Sequence, residues 1–538
     1  MNILTSWVNY FYNILTSRSS DGTATIQGIT GKQYVRGTRE HVDASYQYAT
    51  STHGIDHDMN PALVIQPKTK EDIKLALRYA KANHVAVAIR TGGHQYSGAS
   101  STGGRNIQLD LERTFQGPDD KKIFIKDGET LVRTSVSQAL GSFNAWLTER
   151  GLFIPHGQCT EVHLGGHVQT GGYGQLGRSF GLFGDHVRII ELIDHNGKEL
   201  SITRETDPDL FFAILGGSPG NFGVITHLTL KVHRDRDHIG SQGLKALYLY
   251  NPATLKRLVD ILVKMSDDPD FPPNYDLCVS VLSSSFKLFD LWPELDGQMR
   301  EDHPEVYGEN GMIGWPRTII VYAQWVPLKP GDQMTYKRDF FSQFDQDKIF
   351  GWVEKKAMSK LTGDWIFRNV REFDYAYQKR AYTTNSTNLT GQGWSSWVTD
   401  RIDAIVRPEA NRCWLSVQLQ AYGGKESRFR TNANNGTSYS WRDTTLVAVL
   451  DCFHTAEARP RALDWQAGND QQGLGPNGRF SKDERILFWG SYGDYNLANV
   501  WNKYHETKEK YDRIRAVRKR MDPDGTFTPN TFCVPRAD

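Results

Sequence analysis

The sequence predicts an α+β protein of two or three subdomains, and three observations carry that reading. The chain has 538 residues, well beyond the roughly 250–300 at which a single hydrophobic core stops growing. Up to about residue 240, strand-like and helix-like periodicities alternate around two glycine-rich stretches. Between about 241 and 480 the character changes: ten of the fourteen tryptophans fall there, among short alternating strands. The expected division is an extension over 1–40, a first domain over 41–240, a second over 241–480, and a segment over 481–538 that returns to the first.

The elements follow in order. Pro61–Pro67 (PALVIQP) is a strand closed by proline. Thr69–Asn83 places Ile73, Ala76, Leu77 and Ala80 on one face of a helix. Val85–Ile89 is a buried strand that leads into the first glycine turn, and Asn106–Leu111 is another by alternation. Leu131–Arg150 has helical character, with Gly151 as its C-terminal cap. Val187–Ile193 is a strand that turns at Asn196-Gly197 into Leu200–Thr203, an antiparallel hairpin. A short helix over Asp207–Phe212 and a glycine turn with a strand over Gly216–Thr226 complete the first part. Beyond it, Arg317–Trp325, Trp414–Gln420 and Thr445–Phe453 are strands with helices between them, an antiparallel sheet under a helical cover. Tryptophans in such a sheet can stack flat substrates, although most are expected in the core.

Composition excludes several classes. A net charge of +1 gives no electrostatic case for nucleic acid or a membrane surface. No apolar run reaches the ~18 residues of a membrane span. The five cysteines, Cys159, Cys278, Cys413, Cys452 and Cys533, are too scattered for a disulfide framework and contain no C-x-x-C pair. Their odd number leaves room for one with its own task. Met1–Ser20 lacks basic residues near its start and is interrupted by Thr5, Asn9 and Asn13, so it is expected as a surface helix rather than a targeting segment. That slightly favours an intracellular protein but leaves the compartment open, and sequons at Asn385, Asn388 and Asn435 matter only after secretion.

The two glycine-rich stretches are Arg90–Ser101 (RTGGHQYSGASS) and Pro155–Val187. Gly92 and Gly93 let the backbone approach a ligand and turn successive N–H groups toward an anion such as a phosphate. Gly172–Gly177 also satisfies G-x-G-x-x-G, with Asp194 downstream. A dinucleotide fingerprint, however, must follow a strand and open a helix inside a βαβ unit. Here a strand and a hairpin follow instead, which argues against it. His163 and His167 invite a metal reading, but no third ligand accompanies them, and a packing role is expected.

These stretches resemble the FAD-binding domain of the berberine-bridge-enzyme-like oxidases, in the vanillyl-alcohol-oxidase group. The shared blocks are R-x-G-G-H-x-Y-x-G-x-S at Arg90–Ser100, G-x-C at Gly157–Cys159, G-G-H at Gly165–His167, G-G-x-G at Gly171–Gly174 and G-L-x-x-D-x-V at Gly181–Val187. A closing block falls at Met521–Phe527 (MDPDGTF). The resemblance implies a two-subdomain PCMH-type FAD domain with an antiparallel-sheet substrate domain. It also implies FAD bonded to His94 through the flavin 8α-methyl and to Cys159 through C6. The cofactor set it implies comprises Arg90, Thr91, Gly92, Gly93, His94, Tyr96, Ser97, Gly98 and Ser100 from the first stretch. From the second it takes Gly157, Cys159, Val162, Gly165, Gly166, His167, Gly171, Gly172, Gly174, Asp185 and Val187. Gly223, Val224, Ile225 and Asn530 complete it.

Oxidising an alcohol carbon needs a base for the hydroxyl proton, and a phenol with a pKa near 10 suffices if a neighbour lowers it. By resemblance, Tyr173 and Tyr492 (in SYGDY, with Asp494) form that pair. The strand that in relatives carries a Glu or Gln toward the flavin corresponds to Thr445–Phe453, which offers Val449 or Asp451. Val162, three residues after Cys159, is the small residue associated in the family with use of dioxygen. The expectation is an oxidase that acts on a sugar or secondary metabolite and releases hydrogen peroxide, as a monomer or small homo-oligomer. A dehydrogenase, an oxidative cyclase and a silent flavin-loaded binding protein are the alternatives.

Overall fold

The computed structural model describes residues 25–54, 56–283, 317–365, 375–407, 412–486 and 496–537. Tyr492, Asp494 and the Met1–Ser20 segment lie outside them. The described chain builds three principal sheets, in an architecture of helices with mixed and antiparallel strands.

The first sheet has the order Lys32–Val35, Leu63–Gln66, Ile107–Asp110, Val87–Arg90. Its outer pair is antiparallel and the others parallel. Between the parallel strands runs the helix Lys70–Ala82. Thr69 caps it, accepting from the Asp72 N–H while Asp72 reaches back in a capping box. Ile73, Ala76, Leu77 and Ala80 are its buried face, as the periodicity required.

The second sheet is antiparallel, in the order Lys121–Lys126, Glu129–Ser135, Val224–Lys231, Val187–Ile193, Glu199–Ile202. Here one expectation is corrected. Leu131–Ser135 is not helical but part of a strand, and the helix covers only Leu140–Thr148. Leu131 and Val132 are buried by pairing with Val224–Lys231, a strand almost a hundred residues away in sequence. Tertiary pairing overrides local preference there. Gly151 closes the segment with φ +62°.

The third sheet has seven antiparallel strands, in the order Val353–Lys355, Gln242–Leu249, Thr318–Trp325, Tyr275–Leu282, Cys413–Ala421, Leu446–His454, Ala376–Thr384. Every residue of Leu446–His454 is buried, because both faces of this sheet are covered. Leu446, Ala448 and Leu450 join a core under the helices Pro252–Asp267 and Trp394–Val406, together with Trp325, Trp394, Trp397 and Trp465. Val447 and Val449 point the other way, into the core built by the first two sheets. Most of the described tryptophans thus pack rather than line a ligand site. Among the described residues no helix is long and apolar enough to cross a membrane. Asn385 and Asn388 are exposed, whereas the Asn435 amide donates to Asp185 Oδ1 at 2.7 Å and holds the fold.

Candidate active site

The two glycine stretches pack against each other. A Cβ at Gly92 would lie 2.7 Å from the Glu161 carbonyl oxygen and from the His163 ring, and one at Gly165 would lie 2.9 Å from Thr91 Cγ2. Only glycine permits that approach. Gly171–Gly174 is irregular backbone between the helix Leu164–Gln169 and the turn that leads to Val187–Ile193, which pairs antiparallel with Glu199–Ile202. The G-x-G-x-x-G run therefore opens no βαβ unit. Asp194 accepts from the N–H groups of Asn196 and Lys198 at 2.9 and 2.8 Å, a turn residue of that hairpin.

The seven-stranded sheet brings its own side chains to this place. Val449 and Asp451, two apart on one strand, share a face, so they are not alternatives. Val449 is buried in the apolar core, while Asp451 sits opposite Lys379 of the edge strand. Lys379 Nζ donates to Asp451 Oδ2 at 2.7 Å and lies 3.7 Å from the centroid of the Tyr96 ring. Both ionic side chains are withdrawn from water, at 2% and 9% exposure. Burial raises the Asp451 carboxyl, and the Lys379 ammonium opposes it. The Tyr96 phenol and the Cys159 thiol lie in the same electrostatic neighbourhood: burial pushes the thiol up to about 11, Lys379 draws it down and Asp451 raises it. Tyr48 stacks on His94 with ring centroids 5.2 Å apart and meets Tyr96 edge-on at 5.1 Å. Tyr377, on the Lys379 strand, donates from its hydroxyl to the Tyr96 carbonyl at 2.8 Å. His94, Tyr96, Cys159 and Asp451 are thus gathered from three separate stretches. Lys379, Tyr48 and Tyr377 were missed, because nothing in the mixed strand Ala376–Thr384 (AYQKRAYTT) marks its lysine as buried.

The remaining cofactor candidates divide. The Arg90 guanidinium donates to Asp110 Oδ2 at 2.8 Å and to the Ala44 carbonyl at 2.6 Å, anchoring the strand beneath the turn. Ser100 donates to Gln47. Gly157 N–H donates to His167 Nε2 at 3.0 Å, which ties the second stretch together. Among the described residues no group of three or more His, Cys, Asp or Glu is arranged for a metal ion. Asn530 donates to the carbonyls of Ala99 and Ser101 at 3.1 and 2.7 Å, tying the C-terminal segment to the first stretch. Val162 packs partly buried beside the core, and Val224 and Ile225 open the central strand of the second sheet behind Gly223. Around the glycines, Ser97 Oγ, Ser101 Oγ, Gln95 Oε1 and Thr160 Oγ1 are buried with no hydrogen-bond partner among the described residues. Such groups want polar partners, and a dinucleotide with phosphates, ribitol hydroxyls and ring amides supplies that chemistry. The residues present fit FAD.

Tyr173 is buried against Tyr422 and Phe429, at 6.4 and 6.1 Å between centroids, and its phenol is pushed up by that burial. It is therefore held neutral. Two buried clamps flank it. Arg178 donates to the Gly423, Pro272 and Phe271 carbonyls at 2.8, 3.0 and 3.0 Å. Asp185 accepts from Arg442 Nη2 at 2.5 Å and from Asn432 at 3.0 Å.

Three histidines nearby set a pH limit. Burial pushes His156 and His186 down to about 4 and His167 to about 3. In the unfolded chain each takes a proton near 6.5. Below that pH the unfolded state binds more protons, so stability falls as pH drops from about 6.5 to about 4. The slope is on the order of 1.4 kcal/mol per pH unit for each histidine. Urea midpoints measured across this range should decline steeply, and a flat profile would contradict neutral burial.

Comparison with known proteins agrees with the geometry. The family described as "FAD binding domain" matches residues 61–203. Berberine bridge enzyme-like 4 of Arabidopsis thaliana is 34% identical over 516 residues, covering 86% of this chain and 83% of that protein. FAD-linked oxidoreductase ZEB1 of Gibberella zeae is 33% identical over 175 residues, 31% of this chain and 30% of its own length. Among solved structures, a variant of Physcomitrella patens BBE-like 1 shares the fold with a TM-score of 0.69 at 15% identity, over 94% of this chain and 98% of that one. The chain is a FAD-linked oxidoreductase that belongs to the berberine-bridge-enzyme-like family.

Proposed function

We propose that this oxidoreductase is an oxidase that carries its flavin on both His94 and Cys159 and oxidises a hydroxyl-bearing carbon of a sugar or secondary metabolite. The observation that carries this reading is the meeting of the Asp451–Lys379 pair with Tyr96 and Cys159, at the junction of the glycine stretches and the sheet. In the same reading, residues 41–240 and 481–538 hold the cofactor and 241–480 supply the substrate wall.

FAD, held by the two glycine stretches, would supply a two-electron acceptor that dioxygen can reoxidise. The protein does the rest. Asp451 Oδ2 is occupied by Lys379, whereas Oδ1 is buried with no hydrogen-bond partner among the described residues and takes the proton of the substrate hydroxyl. A base must stand within hydrogen-bond reach of that proton, directly or through one water, and a buried carboxylate whose proton affinity burial has raised suits the task better than a phenol held neutral. Tyr173 then shapes the floor, with Tyr492 as its partner by resemblance. Tyr48, Tyr96 and Tyr377 form an aromatic wall that excludes water and orients an apolar or sugar face. Val162 leaves dioxygen a path.

Precipitating the purified protein with acid tests the attachment: the pellet should be yellow and the supernatant colourless. Candidate sugars, alcohols and phenols added without air should bleach the colour, and readmitted air should restore it with release of peroxide. A colourless pellet overturns the covalent reading, and bleaching without peroxide overturns the oxidase.

A further inference from the structure

We propose that Cys413 and Cys452 form a peroxide-responsive dithiol, two thiols that the fold holds side by side and that hydrogen peroxide joins in a reversible disulfide. The inference depends neither on the covalent flavin nor on the substrate. Peroxide is the product that the oxidase reading would release.

The sequence scatters the five cysteines, and all five are free thiols. The seven-stranded sheet brings two of them together. Cys413 opens the strand Cys413–Ala421, and Cys452 lies near the end of Leu446–His454 beside it. In the antiparallel register Cys413 faces His454 and Leu415 faces Cys452, so the two cysteines are diagonal neighbours. Both point into the core under the helices, away from the face that carries Asp451. The Cys452 thiol donates to the Cys413 sulfur, and Cys413 donates in turn to the Ala458 carbonyl at 3.9 Å. Diagonal neighbours lie about 7–8 Å apart at Cα and a disulfide spans about 4.4–6.8 Å, so closure asks for a shift of roughly an ångström. The pair sits where such a shift is easiest, because Cys413–His454 is the last rung of the ladder. Exposed Arg412 precedes Cys413 and gives peroxide a short way in.

His454 supplies the base. As the direct partner of Cys413 it stands on the same face, with Cβ atoms about 5 Å apart. Its Nδ1–H donates to the Thr455 carbonyl at 2.9 Å, which leaves the lone pair on Nε2. That atom is buried with no hydrogen-bond partner among the described residues. The two thiols are unequal. The hydrogen bond from Cys452 lowers the pKa of Cys413, burial opposes this, and the Arg461 guanidinium adds to the lowering. Cys452, as the donor of that bond, is pushed up. Cys413 is thus the attacking sulfur and Cys452 the resolving one.

The step balances. His454 takes the Cys413 proton, the sulfur attacks one peroxide oxygen, and the O–O bond breaks. The departing hydroxide recovers that proton and leaves as water. The Cys452 sulfur then attacks the sulfenic acid at Cys413: the S–S bond forms, the S–O bond breaks, and hydroxide leaves as a second water with the Cys452 proton. Two thiols are oxidised and one peroxide is reduced to two waters.

The test treats the native, purified holoenzyme with millimolar hydrogen peroxide, then alkylates, denatures and digests it with trypsin. Cys413 and Cys452 fall on separate peptides, 413–425 and 443–461, so a bridge appears as one joined mass that dithiothreitol splits. It should form about tenfold or more faster than Cys278 and Cys533 lose their thiols, because burial raises both of those. In Cys452→Ala a dimedone adduct on Cys413 should replace the bridge. If that variant does not fold, the wild-type measurement decides alone. Both thiols recovered intact from folded, peroxide-treated protein overturn the inference, as does Cys413 oxidised to sulfinic acid beside an intact Cys452. Neither result touches the proposed function, whose own failure shows in the acid pellet and the anaerobic bleaching.

Discussion

Asp185→Ala is expected to cost the folded protein about 3–5 kcal/mol, the penalty for leaving a buried charge unpaired. The carboxylate receives Arg442 through both oxygens, together with the Leu182 N–H, Asn432 and Asn435. Burial alone would raise its pKa, but Arg442 and these donors hold it below the ordinary carboxylate value. Removing it strands the Arg442 guanidinium, whose side chain is 4% exposed. It also frees the turn after Tyr173 from the segment that carries Phe429 and Tyr439. Urea unfolding of the variant should show a midpoint lowered well beyond that of a surface substitution. Arg442→Met in the same background should recover part of the loss, because the unpaired charge is then gone. A single-variant loss under about 1 kcal/mol would mean that the pair is not buried as described.

Asp451→Asn should lower kcat/KM by about 10²–10⁴, the usual contribution of a positioned base. The amide keeps the shape and its oxygen accepts from Lys379, so the fold and the flavin content should change little. The measurement is the rate of anaerobic bleaching by substrate, normalised to bound flavin. In the wild type, activity should fall as pH drops through the Asp451 pKa, which burial sets above the usual carboxylate value. The base must be unprotonated to act, so the lost limb is the acid one. A variant that bleaches at the wild-type rate removes Asp451 from the chemistry and leaves the tyrosines to carry it.

Much of the site was legible because its requirements are local. Gly92, Gly165 and Gly172 sit where any side chain would collide with a neighbouring segment, so the motif is visible as composition at fixed spacing. Thr69 and Asp72 announce the start of a helix by chemistry confined to one turn. The strand Leu446–His454 was visible through its apolar run from Leu446 to Leu450, and the structure explains that run: helices cover one face and the core of the first two sheets the other.

What the residues by themselves determined was therefore the glycine turns, the capped helix, the buried strands and the presence of His94 and Cys159 within the glycine stretches. Only the tertiary structure decided what faces them. Asp451 and Lys379 lie 72 residues apart, and nothing local says that their strands are neighbours or in what register. The same holds for Leu131–Ser135, a strand because Val224–Lys231 is available to pair with it. Side-chain direction along a strand has a period of two, which places Val449 and Asp451 on one face. Which strand lies alongside, however, is settled by burying the whole sheet between two cores, a condition that no short window of sequence contains.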